Sequence, residues 1–383
     1  MKLKQMLSAL TASALLVSSL SLAAFAAPKR TAIKTAQQLM SMKADGDYYL
    51  AKDIDLAKVK WKPIRNFSGT FDGNGHVIKN LKSETYGLFA SLKSGAQVTD
   101  VTLTDLYLTS KYKSVGGVAS VISHKEKDVL VEDCSVSGVV ASCMTKYKTA
   151  KAGVESTAGA IVGVNNSPSS VVSNCYSNAI VAAENIVGGI VGKNLGTIQS
   201  SGFEGSLINS YNIYELRCNS GEDMTEEYAY LTVVGGVCGV SSGDITDCFS
   251  NARMETAGKY GGIVGSLESG SVTKCVNSST VYSEDEWAEG GLIAGYAFQK
   301  ATLQNCYTRL PNDSTVQNDV GKGKTGTKSY GVSDKNFHKI SYFKRLGSSW
   351  QIVNGIPMPK SLINQLDLEP CAWTTQGGRL IKA

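Results

Sequence analysis

Histidine is scarce in this sequence: three occur among 383 residues, and none lies beside a second one. The H-E-x-x-H motif of many zinc proteases is therefore missing. There is also no C-x-x-C pair, the spacing typical of structural zinc sites. Charged residues are 19% of the chain, and no basic stripe is interleaved with aromatic residues. We therefore expect no metal, no other cofactor and no nucleic-acid partner.

Long hydrophobic runs are missing after the first 26 residues. Those residues contain Lys2, Lys4, an apolar stretch from Met6 to Ala24, and Ala24-Phe25-Ala26, which fits a cleavage site. This arrangement is typical of a secretory signal peptide, and removing it lowers the formal net charge from +5 to +3. We predict a signal peptide at 1–26, no membrane span after its removal, and a secreted or cell-envelope location.

Glycine, by contrast, is abundant, with 39 residues, and much of it recurs in a repeat. Six glycine-rich segments, such as VVGGVCGV (233–240) and YGGIVGSL (260–267), follow one another at intervals of 26 to 47 residues. Each repeat splits into about three short apolar pieces, which can bury their apolar sides only by stacking on the next repeat. The sequence therefore predicts an all-β fold: a parallel β-helix, or β-solenoid, of about seven coils with N- and C-terminal capping segments.

The repeat also divides the chain into parts. We assign 27–85 to an N-terminal cap with a short helix at 36–42, 86–310 to the solenoid, and 311–383 to a C-terminal cap and tail. Caps are expected because the open strand edges at either end would pair with other chains. Two insertions interrupt the repeat near 142–155 and 209–230. Residues 333–347 are interpreted as a short helix before a strand at Trp350.

Nine cysteines in an exported chain would usually indicate disulfides, but five of them occupy the same slot of the repeat. These are Cys134, Cys175, Cys248, Cys275 and Cys306, with Gly202 replacing cysteine in one copy. Equivalent positions in a solenoid stack above one another, so we predict a column of buried free thiols that pack as small apolar residues. A disulfide between Cys143 and Cys218 stays open, as does the state of Cys371.

The run FSGTFDGNGHVIKNL (67–81) has the glycine density of a phosphate-binding loop. A β-branched strand follows it, however, where such a loop needs a helix. Asp72-Gly73-Asn74-Gly75 supplies residues that tolerate positive φ, which a tight turn requires. We therefore interpret the run as strand, turn and strand, a hairpin in which 67–71 pairs with 77–81.

This run, together with DGDYYLAKDIDL, WKPI and the repeated GGIVG…C units, resembles bacterial surface and secreted proteins with GLUG repeats. The resemblance covers about residues 33–310, and FSGTFDGNGH is its most specific part. It implies a β-helical extracellular module associated with adhesion, and it supplies no catalytic residues. Similar repeats accompany the zinc metallopeptidase that cleaves immunoglobulin A, whose H-E-x-x-H motif is missing here.

Acidic residues that should point outward are scattered along the repeat. Asp133 and Asp247 share a slot that also holds Asn174 and Lys274, which indicates a solvated turn rather than an active site. Function is instead expected on the insertions, because loops on a rigid scaffold are free to vary. The second insertion carries Tyr211, Tyr214, Tyr228 and Tyr230 beside acidic residues, a combination that suits sugar stacking or a protein contact.

We therefore predict an exported or surface-displayed, non-catalytic adhesion or ligand-binding module, and hence not an enzyme. Its partner would be an extracellular glycan or protein. Two alternatives stay open: a glycan-cleaving β-helix enzyme, with two carboxylates about 5–10 Å apart in one groove, and a purely structural rod. The sequence predicts no particular ligand and no oligomeric state.

Overall fold

The computed structural model describes residues 30–110, 114–142, 156–209, 232–256, 258–282, 288–313, 318–323, 326–376 and 379–382, with the backbone alone at 326–328. The predicted signal peptide lies outside these residues. Parallel strands stack coil upon coil through almost all of the described chain, so the predicted parallel β-helix is confirmed. Within these ranges, no helix is long and apolar enough to cross a membrane.

The first ladder of the β-helix contains eleven parallel strands, one from each coil. They are Thr31–Ile33, Asp47–Leu50, Thr70–Asp72, Gln97–Thr99, Leu130–Glu132, Val171–Ser173, Thr197–Gln199, Asp244–Thr246, Ser271–Thr273, Thr302–Leu310 and Gly326–Ser333. Neighbouring strands lie about 4.8 Å apart, so the rod is on the order of 50 Å long. The stack is longer than the predicted seven coils because parts of both predicted caps also form coils.

Three further ladders complete the central coils. The second contains Ile54–Asp55, Val77–Lys79, Lys82–Ser83, Thr102–Ser110, Ser135–Ser142, Tyr176–Ser177, Ile180–Ala183, Gly202–Phe203, Ser206–Asn209, Phe249–Ser250, Arg253–Glu255, Val276–Asn277 and Thr280–Tyr282. The third contains Phe89–Leu92, Ala119–Ile122, Val162–Asn165, Val191–Asn194, Cys238–Ser241, Val264–Leu267, Ala294–Ala297 and Val320–Gly323. The fourth contains Ser114–Gly116, Thr157–Gly159, Ile186–Gly188, Val233–Gly235, Lys259–Gly261 and Gly290–Gly291.

One continuous apolar core fills the interior of the rod. In the first ladder it is built by the middle residue of successive strands, because alternate side chains of a strand point to opposite faces. Phe71, Val98, Val131, Val172, Ile198, Ile245 and Val272 are stacked register partners, and all are fully buried. Burying each such side chain stabilises the fold by about 1.5–3 kcal/mol, which explains why the repeat is apolar at this position.

Seven successive coils turn from the first ladder to the second through one residue with a left-handed backbone. These corner residues are Asp100, Asp133, Asn174, Ser200, Asp247, Lys274 and Asn305, with φ between 50° and 56°. Asn and Asp adopt this conformation at little cost, whereas most other residues do so at a penalty. The turn predicted for this slot is confirmed. The residues in the slot differ in side chain but share the left-handed backbone conformation.

The residue after the corner points into the core, and the cysteines stack there. Cys134, Cys175, Cys248, Cys275 and Cys306 are unpaired and fully buried, as predicted. Each thiol donates to the carbonyl oxygen two residues earlier, at 3.2–3.5 Å. Desolvation raises the pKa of the Cys175 and Cys275 thiols well above the usual value, so both stay protonated.

The predicted position of the replacement residue in this column was wrong by one. Gly202 pairs with Tyr176 and Phe249, the residues that follow the cysteines, so Ser201 occupies the cysteine slot. Its hydroxyl repeats the contact of the thiols by donating to the Gln199 carbonyl at 2.8 Å.

The predicted N-terminal helix is present as Ala36–Met40. Thr35 caps it by accepting a hydrogen bond from the Gln38 backbone N–H at 3.2 Å, and Leu39 packs into the core. A capped single turn of this kind is stable in a protein only because its apolar face packs against other elements.

The run 67–81 forms a turn, but the predicted strand pairing was wrong. Thr70–Asp72 pairs in parallel with strands of the coils before and after it, and Val77–Lys79 does the same one ladder further on. Asn74 and Gly75, with φ of 51° and 72°, make the bend between the two ladders. The two strands do not form a hairpin because each finds its partners in neighbouring coils.

After the last coil, the chain returns along the outside of the rod. This segment, 334–382, is called the C-terminal brace here. It contains the hairpin strands Trp350–Val353 and Ile356–Pro359, the hairpin strands Trp373–Gln376 and Arg379–Lys382, and the 3-10 helices Ile340–Tyr342 and Lys360–Gln365. The short helix predicted at 333–347 is thus only turns and one 3-10 turn. Much of the predicted end cap lies along the flank instead.

The brace lies on the flank because the outward side chains of the second ladder are apolar. Tyr176, Phe249 and Tyr307 pack against Phe343 and Trp350 of the brace. A second cluster joins Val139, Ile180, Ala182 and Ile208 to Cys371 and Trp373. Cys371 is unpaired, and its thiol donates to the Gly138 carbonyl at 3.4 Å.

Candidate functional site

The two predicted insertions leave the rod at the same edge. Apart from Ser142 and Asn209, which end strands, they lie outside the described residues, as do the candidate ligand contacts Tyr211, Tyr214, Tyr228 and Tyr230. Ser142 pairs with Ala183, and Ala183 pairs with Asn209. The two insertions therefore start on the coils that flank the short turn at Glu184, whose carboxyl pKa is raised to about 7 by desolvation.

A cleft of about 490 Å³ opens on a different side, where the brace crosses the corners of the early coils. The rod contributes Gly75, Val77, Asp100, Thr102, Thr104, Asp133 and Ser135 to its lining. The brace contributes Ser361, Asn364, Gln365, Asp367, Leu368 and Glu369. The cleft therefore exists only because the brace is docked on the rod.

Two carboxyl groups from neighbouring coils line this cleft. Asp100 and Asp133 occupy the same corner slot of successive coils, so their backbones lie about 4.8 Å apart. Asp100 accepts a hydrogen bond from the Gly75 backbone N–H at 2.5 Å, and Asp133 accepts one from the Gln365 side-chain amide at 3.3 Å. The shared slot that the left-handed corner requires thus brings two acids together.

The pKa values of both carboxyl groups are raised above their ordinary range. Desolvation is the main cause for Asp100, and the charge of Asp72 adds to it. Desolvation is also the main cause for Asp133, with further contributions from the charges of Glu132 and Asp100. Two neighbouring acids with raised pKa values can hold one carboxyl protonated while the other is ionised.

Two polar atoms at the cleft have no hydrogen-bond partner within the described chain. The Thr104 hydroxyl belongs to a residue that is only 3% exposed, and the side-chain oxygen of Gln365 is also buried. A buried polar atom without a partner costs about 1–3 kcal/mol. Both atoms belong to residues that line the cleft.

The lining of the cleft contains no lysine or arginine. Lys79 at its rim pairs with Glu369 at 3.5 Å. Among the residues that the structure describes, no three His, Cys, Asp or Glu side chains are placed to hold a metal ion. The chemistry of the site therefore depends on carboxyl, hydroxyl and amide groups.

Sequence reasoning missed this site. It treated the outward acids as scattered, although the repeat alignment could have placed Asp100 and Asp133 in the same slot of successive coils. It could not place Gln365 beside Asp133, because 232 positions separate them and the brace does not follow the repeat.

No family model matches the chain, and no curated protein matches it in sequence. Solved structures do share its fold. One is a protein of Bacteroides ovatus described as a candidate immunoglobulin A1 protease: its TM-score is 0.53 at 18% identity, over 87% of this chain and 93% of that one. Another is an IgA1 protease, with a TM-score of 0.54 at 17% identity over 83% of this chain.

This chain covers only 24% of the IgA1 protease, so the likeness extends to about a quarter of that protein. At these identities the comparisons show the fold alone. They nevertheless overturn the prediction that the chain is not an enzyme, because the proteins that share its β-helix are named as proteases. That prediction relied on missing motifs, and a carboxylate site needs none of them.

Proposed function

We propose that the chain is an extracellular hydrolase that acts on a protein or glycan chain, with Asp100 and Asp133 as its acid–base pair. The observation that carries this proposal is that two carboxyl groups with raised pKa values, from adjacent coils, line one cleft. Enzymes that cleave peptide or glycosidic bonds often pair two carboxyl groups in different protonation states.

The surroundings give the two acids different roles. The Gly75 N–H donates to Asp100 and favours its ionised form, so Asp100 is the general base. At Asp133, the charges of Glu132 and Asp100 outweigh the hydrogen bond from Gln365 and favour the protonated form, so Asp133 is the general acid. Asp100 takes a proton from a water molecule, whose oxygen bonds to the carbon of the scissile bond. Asp133 gives its proton to the leaving nitrogen or oxygen.

The extracellular location is supported by the predicted signal peptide and by the resemblance to GLUG-repeat proteins. The names of the structures that share the fold make immunoglobulin A1 the first protein substrate to test. The polar cleft makes polysaccharides the first non-protein substrates to test.

The test is hydrolysis by the mature chain of immunoglobulin A1, an unrelated extracellular protein, and neutral and acidic polysaccharides. Asp100→Asn and Asp133→Asn should each lower the rate by about 100-fold or more. Both should fold, because Asn174 and Asn305 already occupy this corner slot. Lys274→Asn is the matched control, in the same slot but outside the cleft. No cleavage of any of these polymers, or equal rates in all the variants, would contradict the proposal.

A second function, binding of an extracellular glycan or protein by the insertions, is supported by their emergence at one edge of the rod. Tyr211, Tyr214, Tyr228 and Tyr230 would supply aromatic contacts. Deleting 210–230 should abolish binding on a glycan array and leave hydrolysis unchanged. Unchanged binding would remove this insertion from consideration.

A further inference from the structure

We propose that the cleft takes a neutral, hydroxyl-rich carbohydrate, an inference that rests on the proposed function for the site and names its substrate class. The volume of about 490 Å³ falls within the range of small-ligand sites, so the cleft suits a short stretch of a polymer rather than a folded surface.

Charge excludes the anionic glycans. Asp100, Asp133, Asp367 and Glu369 line the cleft, no lysine or arginine belongs to the lining, and the cation at the rim, Lys79, pairs with Glu369 alone. Uronic acids, sulfated sugars and phosphates would bring like charges into a partly desolvated space, where repulsion is stronger than in water. A ligand without negative charge avoids this penalty.

The backbone around the cleft disfavours an extended peptide. Peptides often bind by adding a strand to an open sheet edge. Here Val77–Lys79 is already paired on both sides, with Ile54–Asp55 and Thr102–Ser110, and offers no such edge. The lining contains only two large apolar side chains, Val77 and Leu368, so pockets for apolar peptide side chains are also missing.

Hydroxyl and amide groups supply the contacts that a sugar needs. Thr102 and Ser135 are register partners, each two residues beyond an acid of the catalytic pair, so a pair of hydroxyl groups lies beside the pair of carboxyl groups. Ser361 and Asn364 face them from the brace side of the lining. Serine and threonine hydroxyls both donate and accept, as the hydroxyls of a sugar do.

The unpartnered atoms make the match more specific. The buried Thr104 hydroxyl and the Gln365 side-chain oxygen have no partner in the described chain, and both residues line the cleft. The Gln365 amide group donates to Asp133, which fixes the orientation of the side chain and leaves its oxygen as an acceptor. A sugar hydroxyl can satisfy either atom, whereas an apolar group would leave both unpaired.

The experiment is calorimetric titration of the full mature chain carrying Asp133→Asn, which prevents turnover. The ligands are xylohexaose, mannohexaose and N-acetylchitohexaose as neutral probes, and oligogalacturonate, heparin and an immunoglobulin A1 hinge peptide as competitors. We expect at least one neutral oligosaccharide to bind and the anionic ones not to bind. Thr104→Val should weaken that binding by about tenfold, while Thr104→Ser retains it.

Thermal unfolding separates a lost contact from a damaged fold. Thr104→Val removes an unpartnered buried hydroxyl and should leave Tm equal or higher. Binding of the anionic oligosaccharides or the peptide, failure of all three neutral probes to bind, or binding that Thr104→Val does not change would overturn the inference. Neutral binding without hydrolysis by the unmodified chain would overturn the proposed function and leave this inference standing. Cleavage of the peptide without binding of a neutral oligosaccharide would overturn this inference and leave the proposed function standing.

Discussion

Trp350 donates a hydrogen bond from its indole nitrogen to a carboxylate oxygen of Asp247 at 2.9 Å, across 103 positions of the chain. Asp247 is a corner residue of the rod, and Trp350 begins a strand of the brace. The left-handed corner selects a short polar side chain, and the brace uses that side chain as an acceptor. The same corner slot therefore contributes both to the turn and to the docking of the brace.

Trp350→Phe should destabilise the protein by about 1–2 kcal/mol, because it removes a hydrogen bond to a charged group and puts a smaller aromatic ring in the place of the buried indole. Urea unfolding measures the loss, and limited proteolysis within 345–382 shows whether the brace has loosened. Asp247→Asn keeps an oxygen acceptor and should cost less. Equal stability of Trp350→Phe and the unmodified chain would contradict this role.

The thiol column should tolerate serine but not a larger side chain. Cys248→Ser should cost about 1 kcal/mol, because Ser201 already makes the equivalent contact in the coil before. Cys248→Leu should cost about 1–3 kcal/mol by overpacking. Equilibrium unfolding in urea compares the two. A larger loss for serine than for leucine would show that the slot selects thiol chemistry rather than size.

Lys274→Asn should stabilise the protein by about 0.5–1 kcal/mol, because asparagine adopts the left-handed corner more easily than lysine. Lys274 has a φ of 54°, and the next coil has asparagine in this slot at φ 56°. Asn305→Lys is the reciprocal control and should cost a similar amount. Thermal unfolding of both variants tests the pair, and shifts in the same direction would argue against a backbone cause.

Glu184 should make stability depend on pH. Desolvation raises its folded-state pKa to about 7, so folding favours the protonated form. The contribution of the protonated Glu184 carboxyl to the free energy of unfolding is complete below the ordinary pKa of about 4.5. It is lost as the pH rises through about 7. Partial exposure limits the change to about 1–2 kcal/mol.

Glu184→Gln should therefore be more stable than the unmodified chain at pH 8 and equally stable at pH 4.5, in urea unfolding at both values. Glu268→Gln, at an exposed position, controls for the loss of one negative charge. A stability difference that does not change between the two pH values would contradict the assignment.

The β-helix could be predicted from the sequence because every coil needs the same local pattern, an inward apolar residue followed by a corner residue. That pattern recurs along the chain as a visible repeat. It misplaced the cysteine replacement because the distance from the glycine pair to the corner varies between coils. Alignment on the glycines alone cannot resolve Ser201 from Gly202. The brace escaped prediction because its contacts, such as Gln365 with Asp133, join parts of the chain that share no pattern. The cleft could not be predicted either, because it is lined by both the rod and the brace.

The brace also restricts the length of the rod. It is attached at Asp247 through Trp350, at Asp133 through Gln365, and near Asp105 through Lys382 at 3.3 Å. A coil gained between these anchors would move them apart by about 4.8 Å and bring Trp350 opposite the wrong corner. Solenoids in general can change length by duplicating or losing whole repeats. In this protein, the non-repeating brace destabilises any form in which the number of coils between its contact points has changed.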